Sequence, residues 1–374
     1  MQGRGRVIEV HNRVSDFNSY RAARVKSLFN AESGCNFDLQ IDADISGEWS
    51  IGAVVGPSGS GKTSIGKQLF GGGKIYDYQS GWHADRPIID DISPQGDFNQ
   101  VCDVLSAVGL GSVPSWLRPF RVLSNGEQFR AGLARLILDG EGDAVIDEFT
   151  SVVDRQIAKI GTLAFQKKWR KQSERRVVIL SPHYDILEWL QPDWVIDTKT
   201  GEFTSGVGWQ KPPIELKIQQ TDGSYWKYFK PHYYLDLPMP VAAQYFVGTV
   251  DGELCCHLAV CPKFNNGTYR GTRLVTMPEW QGVGIATTFL DWVAQYHLDG
   301  NGRGAKRYPI DFHTSHPGLC TFFRSSPKWK QISATTHGGN KSKSAKKRSS
   351  HGIPLTLGGH FRAIQGFRYL GGCS

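Results

Sequence analysis

The chain has 374 residues and a net charge of +8, with 40% hydrophobic and 21% charged residues. That is long for one domain, comfortable for two, and too apolar for a wholly disordered chain. No apolar run approaches the ~18 residues of a membrane span, and the basic start is not followed by the apolar core of a secretory leader. The seven cysteines (Cys35, Cys102, Cys255, Cys256, Cys261, Cys320 and Cys373) are scattered, which argues against a disulfide scaffold and for a reducing, cytoplasmic setting.

In chain order, residues 1–35 read as a polar N-terminal segment with a weak helical pattern over 14–29. β-like runs begin near Asn36, and residues 51–55 are expected to be a buried strand. A Gly-rich turn follows, then an apolar-periodic helix over 62–70. Further buried strands are expected at 144–146 and 177–180. Strands alternating with helices imply a parallel sheet covered on both faces. Residues 198–215 carry turn and linker signals. The second half restarts with strands over 244–250, 254–260 and 272–277, a helix over 283–296, a strand over 309–313 and a helix from Pro317. The Ser/Lys/Gly-rich stretch 333–352 reads as a basic insertion. The expected domains are therefore 36–205 and 206–374.

Charge divides along the same line. Residues 1–210 hold 23 Lys and Arg against 26 Asp and Glu, and residues 211–374 hold 20 against 9. A basic half points to a polyanionic partner, most simply DNA or RNA. Its interleaved aromatics, such as Trp226, Tyr228, Trp280 and Phe361, permit base stacking, although most such rings are expected to be core.

Residues 56–63, Gly-Pro-Ser-Gly-Ser-Gly-Lys-Thr, fit G-x-x-x-x-G-K-[ST] between a strand and a helix. Gly56, Ser58, Gly59, Ser60, Gly61 and Ser64 would offer backbone N–H groups to phosphate oxygens. Lys62 would reach the terminal phosphates, and Thr63 would place its hydroxyl on Mg2+. The ligand this predicts is ATP or another nucleoside triphosphate. The strand Ala-Val-Ile ends in Asp147 and Glu148, suited respectively to holding magnesium and to polarising an attacking water.

The phosphate loop, then Leu-Ser-Asn-Gly-Glu at 123–127, then Val-Ile-Asp-Glu-Phe-Thr-Ser-Val-Val-Asp at 145–154, then a strand ending near His183, resembles the ATP-binding cassette (ABC) ATPases over about residues 36–200. The resemblance implies that Ser124 and Gly126 contact the γ-phosphate of a partner subunit's nucleotide. It also implies that 151–154 form a dimer-contact loop, that His183 is a switch histidine, and that the protein is a homodimer closed by ATP. Gln95 is the first choice for the metal-contacting glutamine and Gln100 the second. The departures are LSNGE for LSGGQ, Phe149 in place of the usual proline, and a short segment between phosphate loop and signature.

Residues 281–286, Gln-Gly-Val-Gly-Ile-Ala, lie between a strand and a helix and resemble the [QR]-x-x-G-x-[GA] element of GNAT acyltransferases. The resemblance implies that Gln281, Gly282, Val283, Gly284, Ile285 and Ala286 cradle the pyrophosphate of acetyl-CoA or another acyl-CoA. Together the halves resemble a prokaryotic and phage group of ATPase–acetyltransferase fusions. Residues 226–234 and 314–317 are similar to the acyltransferase half of that group, the latter to phage Mom-like DNA-modification proteins. The fold class implied is α/β, a P-loop ABC ATPase domain followed by an α+β GNAT-like domain.

Acyl transfer needs a group to take the amine's proton and another to protonate the thiolate. The helix that would carry a tyrosine acid instead has Phe322 and Phe323. His232 and His316 have suitable chemistry, and Tyr234 or Tyr369 could donate. Cys255, Cys256 and His257 point to alternate faces of a strand and do not suit a shared metal. The leading expectation is an ATP-dependent acyltransferase acting on an amine of a nucleic-acid base. The alternatives are an ATP-driven nucleic-acid clamp with a non-catalytic second half, or the ATPase subunit of a transporter.

Overall fold

The computed structural model describes residues 6–12, 19–29, 37–69, 75–139, 142–171, 175–209, 214–233, 239–240, 242–263, 267–337 and 362–372. Along the first part run β1 (Arg6–Asn12), α1 (Tyr20–Phe29), β2 (Phe37–Ala43), β3 (Ile51–Val55), α2 (Lys62–Leu69), β4 (Ile75–Tyr76), α3 (Ile88–Asp91), α4 (Phe98–Ala107), α5 (Val113–Trp116), α6 (Asn125–Asp139), β5 (Ala144–Ile146), α7 (Arg155–Trp169), β6 (Val177–Ser181), α8 (Ile186–Leu190), β7 (Trp194–Asp197) and β8 (Glu202–Ser205). There follow β9 (Lys217–Thr221), α9 (Trp226–Phe229), β10 (Gln244–Val250), β11 (Glu253–Lys263), β12 (Thr268–Thr276), α10 (Ile285–Leu298), β13 (Ile310–Thr314), α11 (Pro317–Ser325), β14 (Trp329–His337) and β15 (Arg362–Tyr369).

The chain forms two compact units, 1–84 with 120–212, and 85–119 with 213–374. These are not the expected cuts at 35/36 and 205/206. Within the segment 1–35, β1 pairs antiparallel with β2, and its Ile8 and Val10 join Ile41, Val54, Ile65 and Leu180 in one buried cluster. Residues 85–119 pack with the second unit rather than the first.

The first unit's main sheet has the order β4-β5-β6-β3-β7-β8. β4, β5, β6, β3 and β7 are mutually parallel, and β8 closes the edge antiparallel to β7. All five residues of β3 are buried, as a central parallel strand requires. Its start is pinned by Asp193, whose Oδ2 accepts from the backbone N–H of Ser50 and Ile51 at 2.8 and 2.9 Å. Arg170 donates to the same carboxylate.

The second unit is built on a seven-stranded sheet, β14-β15-β13-β12-β11-β10-β9. Only β12 and β13 run parallel, joined by the crossover helix α10; every other pair is antiparallel. The parallel pair is short: Tyr269, Arg270 and Gly271 match Ile310, Asp311 and Phe312. Beyond Gly271, β12 carries a bulge, its register against β11 slipping between His257↔Val275 and Ala259↔Thr272. Arg273 there takes φ +57°, left-handed backbone that side chains rarely adopt. The buried Asp311 carboxylate ties three strands, accepting from Lys263 Nζ at 2.7 Å and from Arg368 Nε and Nη2 at 2.7 and 3.1 Å.

Much of the aromatic content is core. Phe323 stacks on Phe367 at 4.8 Å, and Trp226, Trp280, Trp329 and Tyr369 are buried. Tyr228 is exposed, and Phe361 lies outside the described residues. Of the basic insertion, 333–337 are the end of β14 and the remainder lies outside the described residues. No described helix is long and apolar enough to cross a membrane.

Candidate functional site

β3 delivers the chain into the loop 56–61 at the carboxyl end of the parallel sheet, the edge where such sheets bind ligands. Gly56, Gly59 and Gly61 take φ of +143, +80 and +83°, so the loop's path depends on glycine. At Gly56 a Cβ would lie 2.0 Å from Thr198 Oγ1. That hydroxyl donates to Val55 O at 3.1 Å and shares a hydrogen bond with Ser60 Oγ, so the end of β7 braces the loop from below. Lys62 folds back over the loop and donates to the carbonyls of Gly56 and Pro57 at 2.9 and 2.7 Å. Burial pushes its pKa below the ordinary lysine value, with Glu148 and Asp147 pulling the other way.

Thr63 Oγ1 donates to Asp147 Oδ2 at 2.7 Å. This joins the first turn of α2 to the end of β5 and sets a hydroxyl and a carboxylate side by side, a donor pair that fits magnesium. Glu148 follows in a tight turn. Glu148 and Thr150 have φ of +51 and +66°, conformations that cost non-glycine residues about 1–2 kcal/mol each. The Glu148 N–H donates to Asp147 Oδ1 at 2.8 Å, and Ser151 Oγ donates to Glu148 Oε2 at 2.6 Å. The exposed Glu148 carboxylate is thereby held at the sheet edge beside the loop. Next door, β6 ends at Ser181, whose hydroxyl donates to Phe149 O and accepts from the His183 N–H. His183 is partly buried.

Phe149 explains its own departure from the usual proline. Its N–H donates to Leu180 O at 3.0 Å, and its buried ring packs between Phe129 of α6 and Phe165 of α7. Ser124 and Glu127 form a capping box on α6: Glu127 Oε2 accepts from Ser124 N and Oγ, both at 2.9 Å, and Glu127 N reaches Ser124 Oγ. Gly126 is buried, and a Cβ there would meet Ile157 Cδ1 at 2.9 Å. Among the described hydrogen bonds, Ser124 engages Glu127 and, through its carbonyl, the N–H of Gln128. Asp154 caps α7 by accepting from Gln156 N.

In the second unit, Gln281–Ala286 lies at the carboxyl end of β12 and opens α10. Gly282 and Gly284 take φ of +93 and +90°, with Gly284 as N-cap. β12 and β13 separate beyond Gly271 and Phe312, so this turn stands at the mouth of a splayed pair. Residues 106–111 press against it. A Cβ on Gly282 would come within 2.7 Å of Gly109 N, and Gln281 Oε1 accepts from Gly111 N at 2.8 Å while Gln281 Nε2 donates to Thr276 O.

A scan against protein-family models and a search of curated proteins both return no match. Solved structures with a resembling part include a bacterial Atm1-family ABC exporter with ATP bound (18% identity, TM-score 0.34). Others are a putative metal-chelate type ABC transporter in an inward-facing conformation (16%, 0.36) and a dimeric bacterial ABC transporter cassette (14%, 0.35). They cover 46%, 50% and 43% of this chain, and 35%, 88% and 87% of theirs; the chain spans about a third of the exporter's length.

The remaining candidates are placed as follows. Gln95 falls in the second unit, exposed in a turn where Gly96 N donates to Ser93 O, and Gln100 is exposed in the first turn of α4. Gln79 was not read from the sequence. It lies in the first unit three residues beyond β4, the neighbour of β5, at the edge that carries Asp147. A two-residue strand has no alternation to reveal it. Ser181 and Thr198 were missed for a similar reason, since each supports the site through a neighbour.

His316 caps α11, its Nδ1 accepting from Leu319 N at 3.4 Å. Its Nε2 faces Gly111 O at 3.2 Å, which makes Nε2 the protonated nitrogen. Burial pushes its pKa below the ordinary histidine value, with the Gly111 bond opposing. Both nitrogens are therefore committed to structure. His232 is exposed in a 3-10 turn. Tyr369 is buried, with its hydroxyl on Gln295 Oε1 at 3.0 Å, so it is a core residue rather than an available acid. Tyr234 lies outside the described residues. Cys255 and Cys256 are buried free thiols, and His257 Nδ1 bonds Arg273 O at 3.1 Å.

Proposed function

We propose that the chain is an ATP-hydrolysing ABC-type ATPase fused to a GNAT-like N-acyltransferase acting on an amine of DNA or RNA. The observation that carries the ATPase reading is the Thr63–Asp147 pair at 2.7 Å beside a glycine loop with Lys62 folded over it. Bound ATP with magnesium would supply the phosphoanhydride. Thr63 and Asp147 would hold the ion, Lys62 would exchange its two loop carbonyls for phosphate oxygens, and Glu148 would accept a proton from the attacking water. Gln79, rather than Gln95, is the glutamine favoured by its place on the same sheet edge. Ser124 and Gly126 would contact a second copy's nucleotide in a homodimer, as the sequence resemblance implies.

The acyltransferase reading is supported by the parting of the parallel pair β12/β13 with a glycine turn at its mouth. Gln281, Gly282, Val283, Gly284, Ile285 and Ala286 remain its pyrophosphate residues. Bound acyl-CoA would supply an activated thioester. His232, exposed and unengaged in the described hydrogen bonds, is the better candidate for proton transfer than His316. The rival reading, a nucleic-acid clamp with a silent second unit, is favoured by the locked His316.

The experiment is mass spectrometry of nucleosides from cells expressing the chain or its Gly284→Asp variant. A nucleoside heavier by an acyl group, present with the parent and absent with the variant, is expected. Identical profiles contradict base modification in that host.

A further inference from the structure

One short segment of the second unit touches both banks of the parted strands. On the β12 bank, Gly111 N donates to Gln281 Oε1 at 2.8 Å, and Gly109 lies against Gly282. On the β13 bank, Gly111 O meets His316 Nε2 at 3.2 Å, and Ser106 lies against Gly318. The segment is firmly built. Leu110 and Trp116 are buried, Trp116 Nε1 donates to Leu110 O at 2.6 Å, and the Trp116 ring lies 5.8 Å from the His316 ring. Gly111 alone bonds both banks, its N–H to the Gln281 side chain and its carbonyl to the His316 ring.

The segment is also the middle of an arm whose two ends are covalently continuous with the first unit, at Ala84 and Phe120. Gln79 is five residues before the first junction, and Ser124 four after the second. The arm is therefore strung between two residues assigned above to nucleotide contact. We infer that residues 106–111 are a nucleotide-controlled gate on the acyl-donor cleft. In the conformation described, they bridge the banks and deny the pyrophosphate loop to its ligand. ATP, by drawing on the arm's ends, frees Gln281 and Gly282.

The inference rests on the acyl-CoA reading of the cleft and adds its regulation. A ligand shifts such an equilibrium only through its differential affinity for the two states, and the coupling is reciprocal. ATP must therefore raise acetyl-CoA affinity by the factor by which acetyl-CoA raises ATP affinity.

A disulfide tests the gate. A Cβ on Gly318 would stand 3.0 Å from Ser106 Cβ, a few tenths of an ångström inside the span a disulfide uses. The full chain carrying Glu148→Gln, with and without Ser106→Cys and Gly318→Cys, is titrated calorimetrically with acetyl-CoA, with and without ATP and magnesium. Reduced protein should bind acetyl-CoA about fivefold or more tightly with ATP. Oxidised double-cysteine protein should bind weakly in both conditions, and dithiothreitol should restore the response. Equal affinities in locked and reduced protein overturn the gate while leaving the acyl-CoA site standing. No binding under any condition overturns both. Hydrogen exchange on the chain without the two introduced cysteines gives an independent reading. Amides of 106–111 should exchange faster with ATP, and unchanged protection contradicts the gate.

Discussion

Glu148 combines a strained backbone with a tethered side chain, its φ of +51° and its bond from Ser151 fixing one carboxylate orientation. Glutamine fits the same space and retains the Ser151 contact but cannot take a proton. Glu148→Gln should lower ATP turnover by about 100-fold or more while ATP affinity is kept, as checked by phosphate release beside nucleotide titration. Phe149 makes the opposite point. Restoring the proline usual in the resembled family would delete the donor to Leu180 O and empty the space between Phe129 and Phe165. Phe149→Pro should destabilise the first unit by about 3 kcal/mol or more, read by denaturant unfolding. Here the residue that departs from pattern is itself part of the core. Ser124→Ala should cost about 1 kcal/mol as a lost helix cap and, separately, abolish ATP-driven dimerisation.

At the scale of elements, the strongly patterned pieces were legible and the short or composite ones were not. β3 is five consecutive buried residues and α2 opens at Lys62, both plain in the amino-acid order. β13 and α10 fall within two residues of expectation. β4, with two residues, offers no period to read, and so Gln79 was passed over for Gln95. β1 lies in a polar stretch, and its burial of Ile8 and Val10 depends on β2, thirty residues on. Asp311 illustrates what only pairing can reveal, a carboxylate inside an apolar strand. Burial would raise its pKa, yet bonds from Arg368 and Lys263 hold it below the ordinary aspartate value. A depressed folded pKa adds stability that is present above the unfolded value of about 3.9 and lost as pH falls through the folded one. The second unit should thus be insensitive to this group at neutral pH and weaken below about pH 4. Asp311→Asn should remove that acid dependence and cost about 3 kcal/mol at pH 7, because two cations lose their partner.

For the whole molecule, the division of charge survives the redrawn boundaries. The unit 85–119 with 213–374 holds 21 Lys and Arg against 14 Asp and Glu, and the other holds 22 against 21. The arm itself is acidic, so the basic excess belongs to residues 213–374. If four phosphates are neutralised, single-stranded DNA or RNA affinity should fall about 50-fold between about 50 and 200 mM salt; a flat salt dependence would contradict a polyanion partner. The route of the chain was the feature least readable from sequence. Nothing in the composition of 85–119 announces that it leaves the first unit and joins the second, because that choice is made by contacts such as Gly111 with Gln281 and His316.

In the proposed function one polypeptide grips two phosphorylated ligands through two glycine-built loops. Its most direct measurement is calorimetric titration of acetyl-CoA into ATP-saturated Glu148→Gln protein, beside the same protein carrying Gly284→Asp. Saturable binding at one site per chain is expected, abolished by the aspartate with ATP binding untouched. ATP binding with no acetyl-CoA heat in the parent protein, or equal acetyl-CoA binding with and without the aspartate, would contradict it.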